Sequence, residues 1–500
     1  MSKKRALISV FNKAGVVEFA QELIKFDYEI VSTGGTYNIL KDNNVPVIEV
    51  KDITNFSEML DGRVKTLHPN IFAGILARVD NENDLAELKQ NNILPIDLVV
   101  VNLYPFAEKQ TVDFIDIGGV SLIRAAAKNY NSVNLLISPL QYDNFLKALA
   151  LGNGETSLDY RKELAIQGFR LTSAYDEIIS KTLRGEELGE TINLDLEKVQ
   201  DLRYGENPHQ SAGLYKLNDN ASFELLNGKE LSFNNIVDMA AAYNIVSEFI
   251  GVNCCAIIKH NNPCGVALGE TVEDSYMKAL ECDPISAFGG IVAFNQTVDA
   301  KTAKLMKELF LEVIIAPDFD AEAIEILKAK KNLRLVKVDM DILSYKQISV
   351  LDVKNTRFGA LVQTKEDKEL GKDNFKIVTK AKPDERMIED MVFAWKVVKH
   401  VKSNAIVIVK DKRTIGLGMG QTSRIASMEI ALAQACDEAK DAVVASDGFF
   451  PAIDNIQAAA QSRIAAIIQP GGSIKDEDVI KECDKYDIAM INTGIRHFLH

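Results

Sequence analysis

The sequence predicts an α/β protein throughout: a doubly wound domain at the N-terminus, then two further α/β lobes. Three observations carry this. Between Arg5 and Ser138, apolar strand segments alternate with helical stretches across short links, which winds a chain into βαβα layers. Asp97 to Asn102 is an almost unbroken apolar run, the mark of a strand buried on both faces of a parallel sheet. In the second part, the succession of strand, Gly/Pro turn and helix around 254–295 returns over 398–420 and 441–472, as a duplicated unit would.

The first domain opens with a strand from Arg5 to Val10, a turn at Asn12–Gly15, a helix from Val16 to Lys25 and a strand from Glu29 to Ser32. Thr33-Gly34-Gly35-Thr36 then leads into a helix ending at Asp42, and strands follow at Val47–Val50, Asp97–Asn102 and Leu135–Ser138. Helical patterns run to about Gly185. The polar stretches Arg184–Glu190 and Asp195–Gln200 mark a boundary near residue 195, giving domains 1–195 and 196–500. Beyond it, strands are expected at Cys254–Ile258, Gly290–Phe294, Val313–Ala316, Ala405–Val409, Asp441–Ser446 and Ala465–Gln469.

Composition narrows the function classes. A chain of 500 residues exceeds a single core, and 47% hydrophobic with 26% charged residues is globular rather than disordered. The six cysteines form no CxxC pair and no Cys/His ladder, so neither a disulfide scaffold nor a zinc site is expected. No apolar run approaches the roughly 20 residues that cross a bilayer, and the basic start Met1–Arg5 leads into no export signal. A reducing cytoplasm is the expected location. A net charge of −14 argues against a nucleic-acid surface and leaves small anions as ligands.

Candidate chemistry in the first domain gathers in four stretches. Thr33-Gly34-Gly35-Thr36 lies between a strand and a helix, where glycines permit close approach and free N–H groups can hold a phosphate; a tight turn with a Thr cap is the plainer alternative. In the loop Asp61-Gly62-Arg63-Val64-Lys65-Thr66-Leu67-His68-Pro69, the two cations would face one side of an extended chain, and one anion. Tyr104 follows the buried strand at its carboxyl end, where open α/β sheets bind ligands. Asp116-Ile117-Gly118-Gly119 enters a helix, so Asp116 reads as a cap and Lys128 as a surface charge, or both as members of one pocket.

In the second part, the apolar run Cys254–Ile258 delivers Lys259 and His260 into a turn built from Asn261, Asn262, Pro263 and Gly265. Two adjacent proton-transfer groups at a strand end suit catalysis near neutral pH, whereas a polar pair at an ordinary strand edge is the alternative. Arg203 suits an anion and Tyr204 a planar ring, Gly289 belongs to a glycine turn before a strand, and the Asn404 amide could orient a carbonyl. Gly416-Leu417-Gly418-Met419-Gly420 lacks the dinucleotide spacing and a strand–helix setting, so no nicotinamide cofactor is expected. Phe449, Pro451, Asp454 and Asn455 offer an aromatic surface with polar edges, and Arg496 to His500 ends the chain with cationic and aromatic groups.

In this order the residues resemble the bifunctional AICAR transformylase/IMP cyclohydrolase family of purine biosynthesis, over nearly the whole chain. The N-terminal part does so through Ser32–Thr36, Gly62–Pro69, Asn102–Phe106, Ile115–Gly119 and Arg124–Asn129. The C-terminal part does so through Leu202–Gly205, Lys259-His260, Ser286–Gly290, Lys402–Asn404, Gly420–Arg424, Ser446–Asn455 and Arg496–His500. The resemblance implies a methylglyoxal-synthase-like first domain and a transformylase of two cytidine-deaminase-like lobes without the deaminase zinc. It implies formyl transfer from the cosubstrate 10-formyltetrahydrofolate to AICAR, then closure of formyl-AICAR to IMP with loss of water, with no catalytic metal. His260 would accept the amine proton, Lys259 would protonate the folate nitrogen or support the oxyanion, and Asn404 would orient the formyl group or the carboxamide. Arg203, Tyr204, Gly289, Arg424, Arg496 and Phe498 would hold the nucleotide, and Phe449, Pro451, Asp454 and Asn455 the folate. For ring closure, Lys13, Thr33, Gly34, Gly35 and Thr36 match phosphate-binding positions, and Arg63, Lys65, Thr66, Tyr104, Asp116 and Lys128 the reacting pocket. A homodimer sharing its sites between subunits is also implied. The chain departs from the pattern at Phe11-Asn12-Lys13-Ala14-Gly15, at Ala452 and at Leu499, where hydroxyl, carboxylate, aromatic and polar side chains are usual.

Two other readings compete. A zinc-dependent nucleobase deaminase is hinted at by Pro263-Cys264 but needs H-x-E and PCxxC, and has neither. A nucleotide sensor without turnover would need no Lys-His or Lys-Tyr-Asp set.

Overall fold

The computed structural model describes residues 3–60, 63–185, 188–194, 196–217, 223–340, 351–366, 368–371 and 374–500. Asp61, Gly62, Glu186, Glu187 and Asp195, named above, lie outside the described residues. The chain divides into two compact units, Met1–Asn193 and Leu194–His500.

The first unit is built on β1 (Lys4–Val10), β2 (Tyr28–Ser32), β3 (Val47–Glu49), β4 (Leu98–Asn102) and β5 (Asn134–Leu136). They form one parallel sheet in the order β3-β2-β1-β4-β5, so the chain winds outward in both directions from β1. Alternate residues of one strand feed different cores: Ala6, Ile8, Leu98 and Val100 enter one apolar cluster, while Leu7, Val99 and Val101 enter another on the opposite face. That two-sided burial is why Leu98–Val101 reads as a continuous apolar run. The expected strand at Val47–Val50 is one residue shorter, because Val50 already opens the short helix Val50–Thr54.

The second unit adds β6 (Leu196–Leu202), β7 (Ala212–Leu217), β8 (Phe223–Asn227), β9 (Asn253–Lys259), β10 (Asn262–Gly269), β11 (Ile291–Phe294), β12 (Val313–Ala316) and β13 (Arg334–Val338). It continues with β14 (Leu351–Thr356), β15 (Gly359–Thr364), β16 (Lys376–Ile377), β17 (Ile406–Lys410), β18 (Arg413–Gly418), β19 (Val443–Ser446), β20 (Ala466–Gln469) and β21 (Ala489–Asn492). Twelve of these strands make one sheet ordered β16-β21-β20-β19-β17-β18-β10-β9-β11-β12-β13-β8. Read outward from the centre, β10-β9-β11-β12-β13-β8 and β18-β17-β19-β20-β21-β16 run through the same sequence of a hairpin, parallel strands and an antiparallel edge. The duplication hinted at in the sequence is therefore a pseudo-twofold lobe pair, joined where Ala267 of β10 faces Arg413 of β18.

The helices Phe233–Val246 and Glu385–Val398 cover one face with a core shared by both lobes, whereas on the other face each lobe keeps its own core. Two sequence expectations are corrected here. Pro263, Cys264 and Gly265 lie in strand β10 rather than in a turn, and the turn is the two-residue His260–Asn261. Gly416 and Gly418 lie in strand β18 ahead of the helix Arg424–Ala435, where a Cβ on either would overlap a carbonyl oxygen of that helix. Their role is close strand–helix packing, which a motif reading misses.

Candidate active sites

At the carboxyl ends of β1 and β2 in the first unit, two cations converge. Gly34 has φ +55°, and a Cβ there would stand 3.0 Å from the Lys65 ammonium; a Cβ on Gly35 would stand 3.5 Å from Cε of Lys13. Lys13 and Lys65 thus reach the same glycine pair, at the N-terminus of the helix Gly34–Asp42, whose free N–H groups add positive potential. The Lys13 loop is fastened by Asn102, whose Oδ1 accepts from Phe11 N (2.7 Å) and Asn12 N (2.8 Å). The Asn12 side chain accepts from Ala14 N at 3.0 Å, so the departures from the family pattern still form an ordered turn. Phe11 and Tyr104 meet edge to face at 5.4 Å, walling the site with aromatic surface.

Asp116 sits at the head of the helix Gly118–Lys128. Its carboxylate accepts from Gly119 N (2.7 Å) and Tyr104 N (3.4 Å), and its own N–H donates to the Tyr175 hydroxyl (3.0 Å). Burial pushes the Asp116 carboxyl above the ordinary value against these bonds. A Cβ on Gly118 would stand 3.2 Å from Oγ1 of Thr66, which places the Thr66 hydroxyl at the same helix start.

Four expectations from the sequence are not met. Arg63 and Lys65 diverge, because Arg63 pairs with Asp113 at 2.5 Å while Lys65 faces Glu58 at 3.4 Å and Gly34. The Thr36 side chain is turned inward, its hydroxyl donating to Val10 O at 3.0 Å, so only its backbone is left for an anion. Thr33 makes no side-chain cap. Lys128 is exposed at the far end of Gly118–Lys128, about 15 Å along the helix axis from the Asp116 end.

In the second unit, strand directions decide which residues share an edge. β9 runs antiparallel to β10, β10 to β18 and β18 to β17, so the end of β9 and the start of β17 lie on one side of the sheet. Lys259 and His260 therefore share an edge with Asn404, three strand spacings or about 14 Å across. The Lys259 ammonium donates to Phe288 O at 2.7 Å, drawing in the loop that carries Gly289, itself at φ +76°. Arg203 lies over the Tyr204 ring (4.7 Å) and bonds its hydroxyl (2.9 Å).

Around Asn404 the lobe is densely bonded. Arg424 donates to Asn404 Oδ1 (2.8 Å) and Ser446 Oγ (2.9 Å) and pairs with Asp447, while Ser403 Oγ donates to Asp447 at 2.5 Å. Asn404 Nδ2 donates to Gln421 O at 3.0 Å, which leaves its second N–H free. The C-terminal strand-like tail closes over this group: His497 N donates to Asp447 O (3.0 Å) and Leu499 N to Ser403 Oγ (3.1 Å). Along the tail, Ile495 and His497 are buried while Arg496 and Phe498 point outward, stacked at 4.4 Å. A Cβ on Gly448 would overlap the Arg424 guanidinium and the Phe498 ring, which ties the Phe449–Pro451 turn to the same edge. Asp454 Oδ1 accepts from the backbone N–H and the side-chain amide of Asn455, both at 2.8 Å, and Asn455 Oδ1 is buried without a partner. Asp447, Ser446 and Gln421 fall within the Ser446–Asn455 and Gly420–Arg424 stretches singled out in the sequence, but nothing local there announces that Asp447 forms a buried ion pair.

Among the described residues no cluster of three or more His, Cys, Asp or Glu is arranged to hold a metal ion, and no helix is long and apolar enough to cross a membrane.

Two α/β units, each with lysines and proton-transfer groups gathered at a sheet edge, make the chain an enzyme of small anionic substrates. The AICARFT/IMPCHase bienzyme family profile matches residues 126–434, and the MGS-like domain profile matches 15–131. The bifunctional purine biosynthesis proteins PurH of Caldicellulosiruptor saccharolyticus and Clostridium botulinum are 50% and 51% identical, each over 99% of this chain and their full length. That of Anoxybacillus flavithermus is 48% identical over the whole of both chains. Among solved structures, ForH matches at 34% identity over 36% of this chain and all of its own, with a TM-score of 0.33. The chain belongs to the AICARFT/IMPCHase bienzyme family. It is a bifunctional enzyme of purine biosynthesis, an AICAR formyltransferase and IMP cyclohydrolase.

Proposed function

We propose that the two activities are divided between the two units, ring closure in the first and formyl transfer in the second. The observation that carries the first assignment is the convergence of Lys13 and Lys65 on Gly34 and Gly35. Lys13 and the helix N–H groups hold the phosphate of formyl-AICAR. Lys65 stabilises the oxyanion formed when the carboxamide nitrogen attacks the formyl carbon, and Asp116 with Tyr104 moves the protons that release water. Lys128 has no part in this set, given its distance along the helix.

For formyl transfer, the amine of AICAR attacks the formyl carbon of 10-formyltetrahydrofolate. His260 takes the amine proton, while Lys259 stabilises the tetrahedral oxyanion or protonates the departing folate nitrogen. Asn404, with one N–H free and its oxygen fixed by Arg424, orients the carboxamide or formyl oxygen. Arg203, Tyr204, Gly289, Arg424, Arg496 and Phe498 form the nucleotide side, and Phe449, Pro451, Asp454 and Asn455 the folate side. Arg424 also acts through Asn404, whose side-chain oxygen it holds at 2.8 Å. The separation of His260 from Asn404 along one edge supports a homodimer in which each site draws on both subunits, and an activity in purine biosynthesis fits a cytoplasmic location.

Turnover of AICAR with 10-formyltetrahydrofolate, with products separated by chromatography, tests the division. His260→Ala is expected to abolish formyl transfer and leave closure of supplied formyl-AICAR intact, and Lys65→Ala the reverse. Loss of both activities in either variant rules out separate sites.

A further inference from the structure

The turn that presents Lys259 and His260 is held from below by a carboxylate that sequence motifs do not single out. His260 and Asn261 are the two central residues of the β9–β10 hairpin, both left-handed at φ 52° and 64°. Such turns favour glycine and asparagine, and a left-handed histidine costs roughly 1–2 kcal/mol. Asp238, the sixth residue of the helix Phe233–Val246, accepts from His260 N at 3.2 Å and from Asn261 N at 2.6 Å. Hydrogen bonds to an ionised carboxylate are the strong kind, and two of them on successive N–H groups offset the left-handed cost.

The second lobe repeats the device. Asp390 is the sixth residue of the equally long helix Glu385–Val398, and it accepts from Asp411 N at 3.0 Å and Lys412 N at 2.7 Å. Those residues are the left-handed pair (φ 53° and 56°) of the β17–β18 hairpin, at the opposite edge of the sheet. The molecule thus contains one carboxylate-clamped turn beside the proposed chemistry and one remote from it.

We propose that Asp238 is a positioning residue for formyl transfer, clamping the His260–Asn261 turn so that the His260 imidazole meets the AICAR amine in one geometry; this rests on the assignment of His260 made above. The His260 carbonyl is tied down as well, accepting from Asn262 Nδ2 at 3.1 Å. With both ends of the His260 peptide unit held, freedom is left mainly to the side chain. Misplacement of a reacting group by about 1 Å can cost a hundredfold in rate.

The test compares Asp238→Ala, Asp238→Asn and Asp390→Ala in the full-length enzyme. Asp238→Ala is expected to lower kcat for formyl transfer by about 30- to 100-fold, with KM for AICAR changed by less than about threefold and closure of supplied formyl-AICAR unchanged. Asp238→Asn keeps one acceptor oxygen and should recover part of that loss, and it serves as the deciding variant if Asp238→Ala does not fold. Asp390→Ala should lower the thermal midpoint of the second unit without lowering kcat. Equal losses of thermal midpoint in both alanine variants, with kcat per folded enzyme at the wild-type value in Asp238→Ala, would overturn the proposal and leave the clamp a folding device. Should His260→Ala retain formyl transfer, the assignment of His260 fails instead, whatever Asp238 does.

Discussion

Arg424 and Asp447 form an ion pair whose side chains are 5% and 0% exposed, and it anchors Asn404, Ser403, Ser446 and the C-terminal tail at one strand end. Removing one partner of a buried pair strands the other charge in a medium that solvates it poorly, at a cost of about 3–5 kcal/mol. Asp447→Ala is therefore expected to destabilise the second unit by that order in urea unfolding, followed by the fluorescence of Trp395. Because Arg424 holds Asn404, KM for AICAR should rise in the same variant. A stable Asp447→Ala protein with an unchanged KM would show the pair to be dispensable.

The tail that closes over this pair carries a pH dependence of its own. His497 is buried against Trp395, ring centroids 4.9 Å apart, and burial with the nearby Lys399 and His400 pushes its pKa down to about 4. The unfolded histidine titrates near 6.5, so between pH 6.5 and 4 the unfolded chain binds the extra proton and folding stability falls as pH falls. Glu248, whose own pKa burial alone would raise, is held at about 2 by His400 and Lys399, and its contribution is lost only between about pH 4.5 and 2. The two windows overlap only between about pH 4.5 and 4, so His497→Phe should flatten the urea midpoint between pH 6.5 and 4.5 while leaving the loss at lower pH.

How much of this was legible in the sequence follows from which physical signals are local. The first unit was readable because burial on both faces writes itself into Leu98–Val101, and the helix Val16–Lys25 lies at its expected bounds. Strands β10 and β18 were missed because the glycines that let them pack under helices look like turn residues in a sequence. The resemblance put Lys13 with the Gly34–Gly35 pair and Lys65 in a separate pocket, and it took the folded chain to show both lysines reaching the same two glycines. The pairing of Arg63 with Asp113 and the inward turn of Thr36 depend on partners distant in sequence, which spacing cannot reveal. Asp238 and Asp390 could have been found from their matching places in the two repeats.

Gly34 is where the phosphate assignment meets its sharpest test. At φ +55° an alanine is strained by roughly 1 kcal/mol, and its methyl would stand 3.0 Å from the Lys65 ammonium. Lysine is flexible and can move aside, so Gly34→Ala should fold with a small loss of stability while displacing Lys65 and crowding the anion site. Cyclisation should show a several-fold higher KM for formyl-AICAR, with formyl transfer unaffected. An unchanged KM would place the phosphate elsewhere.

Asp116, proposed above to carry a proton, is expected to set the acid limb of ring closure. Burial raises its carboxyl above the ordinary value near 4, and the N–H groups of Gly119 and Tyr104, which favour the ionised form, only partly oppose this. If the ionised carboxylate takes up the proton released during closure, the rate must fall as pH drops through that raised pKa, at a higher pH than an exposed aspartate would give. With supplied formyl-AICAR, Asp116→Asn is expected to lower kcat about 10²- to 10³-fold and to remove the limb, leaving a flat residual rate. Tyr175→Phe removes the hydroxyl that accepts from Asp116 N at 3.0 Å and donates to Phe114 O at 2.7 Å, loosening the loop without removing the carboxylate. Its limb should persist with a modest loss of rate. A limb that survives in Asp116→Asn would assign the titrating group to another residue and reduce Asp116 to the cap of its helix.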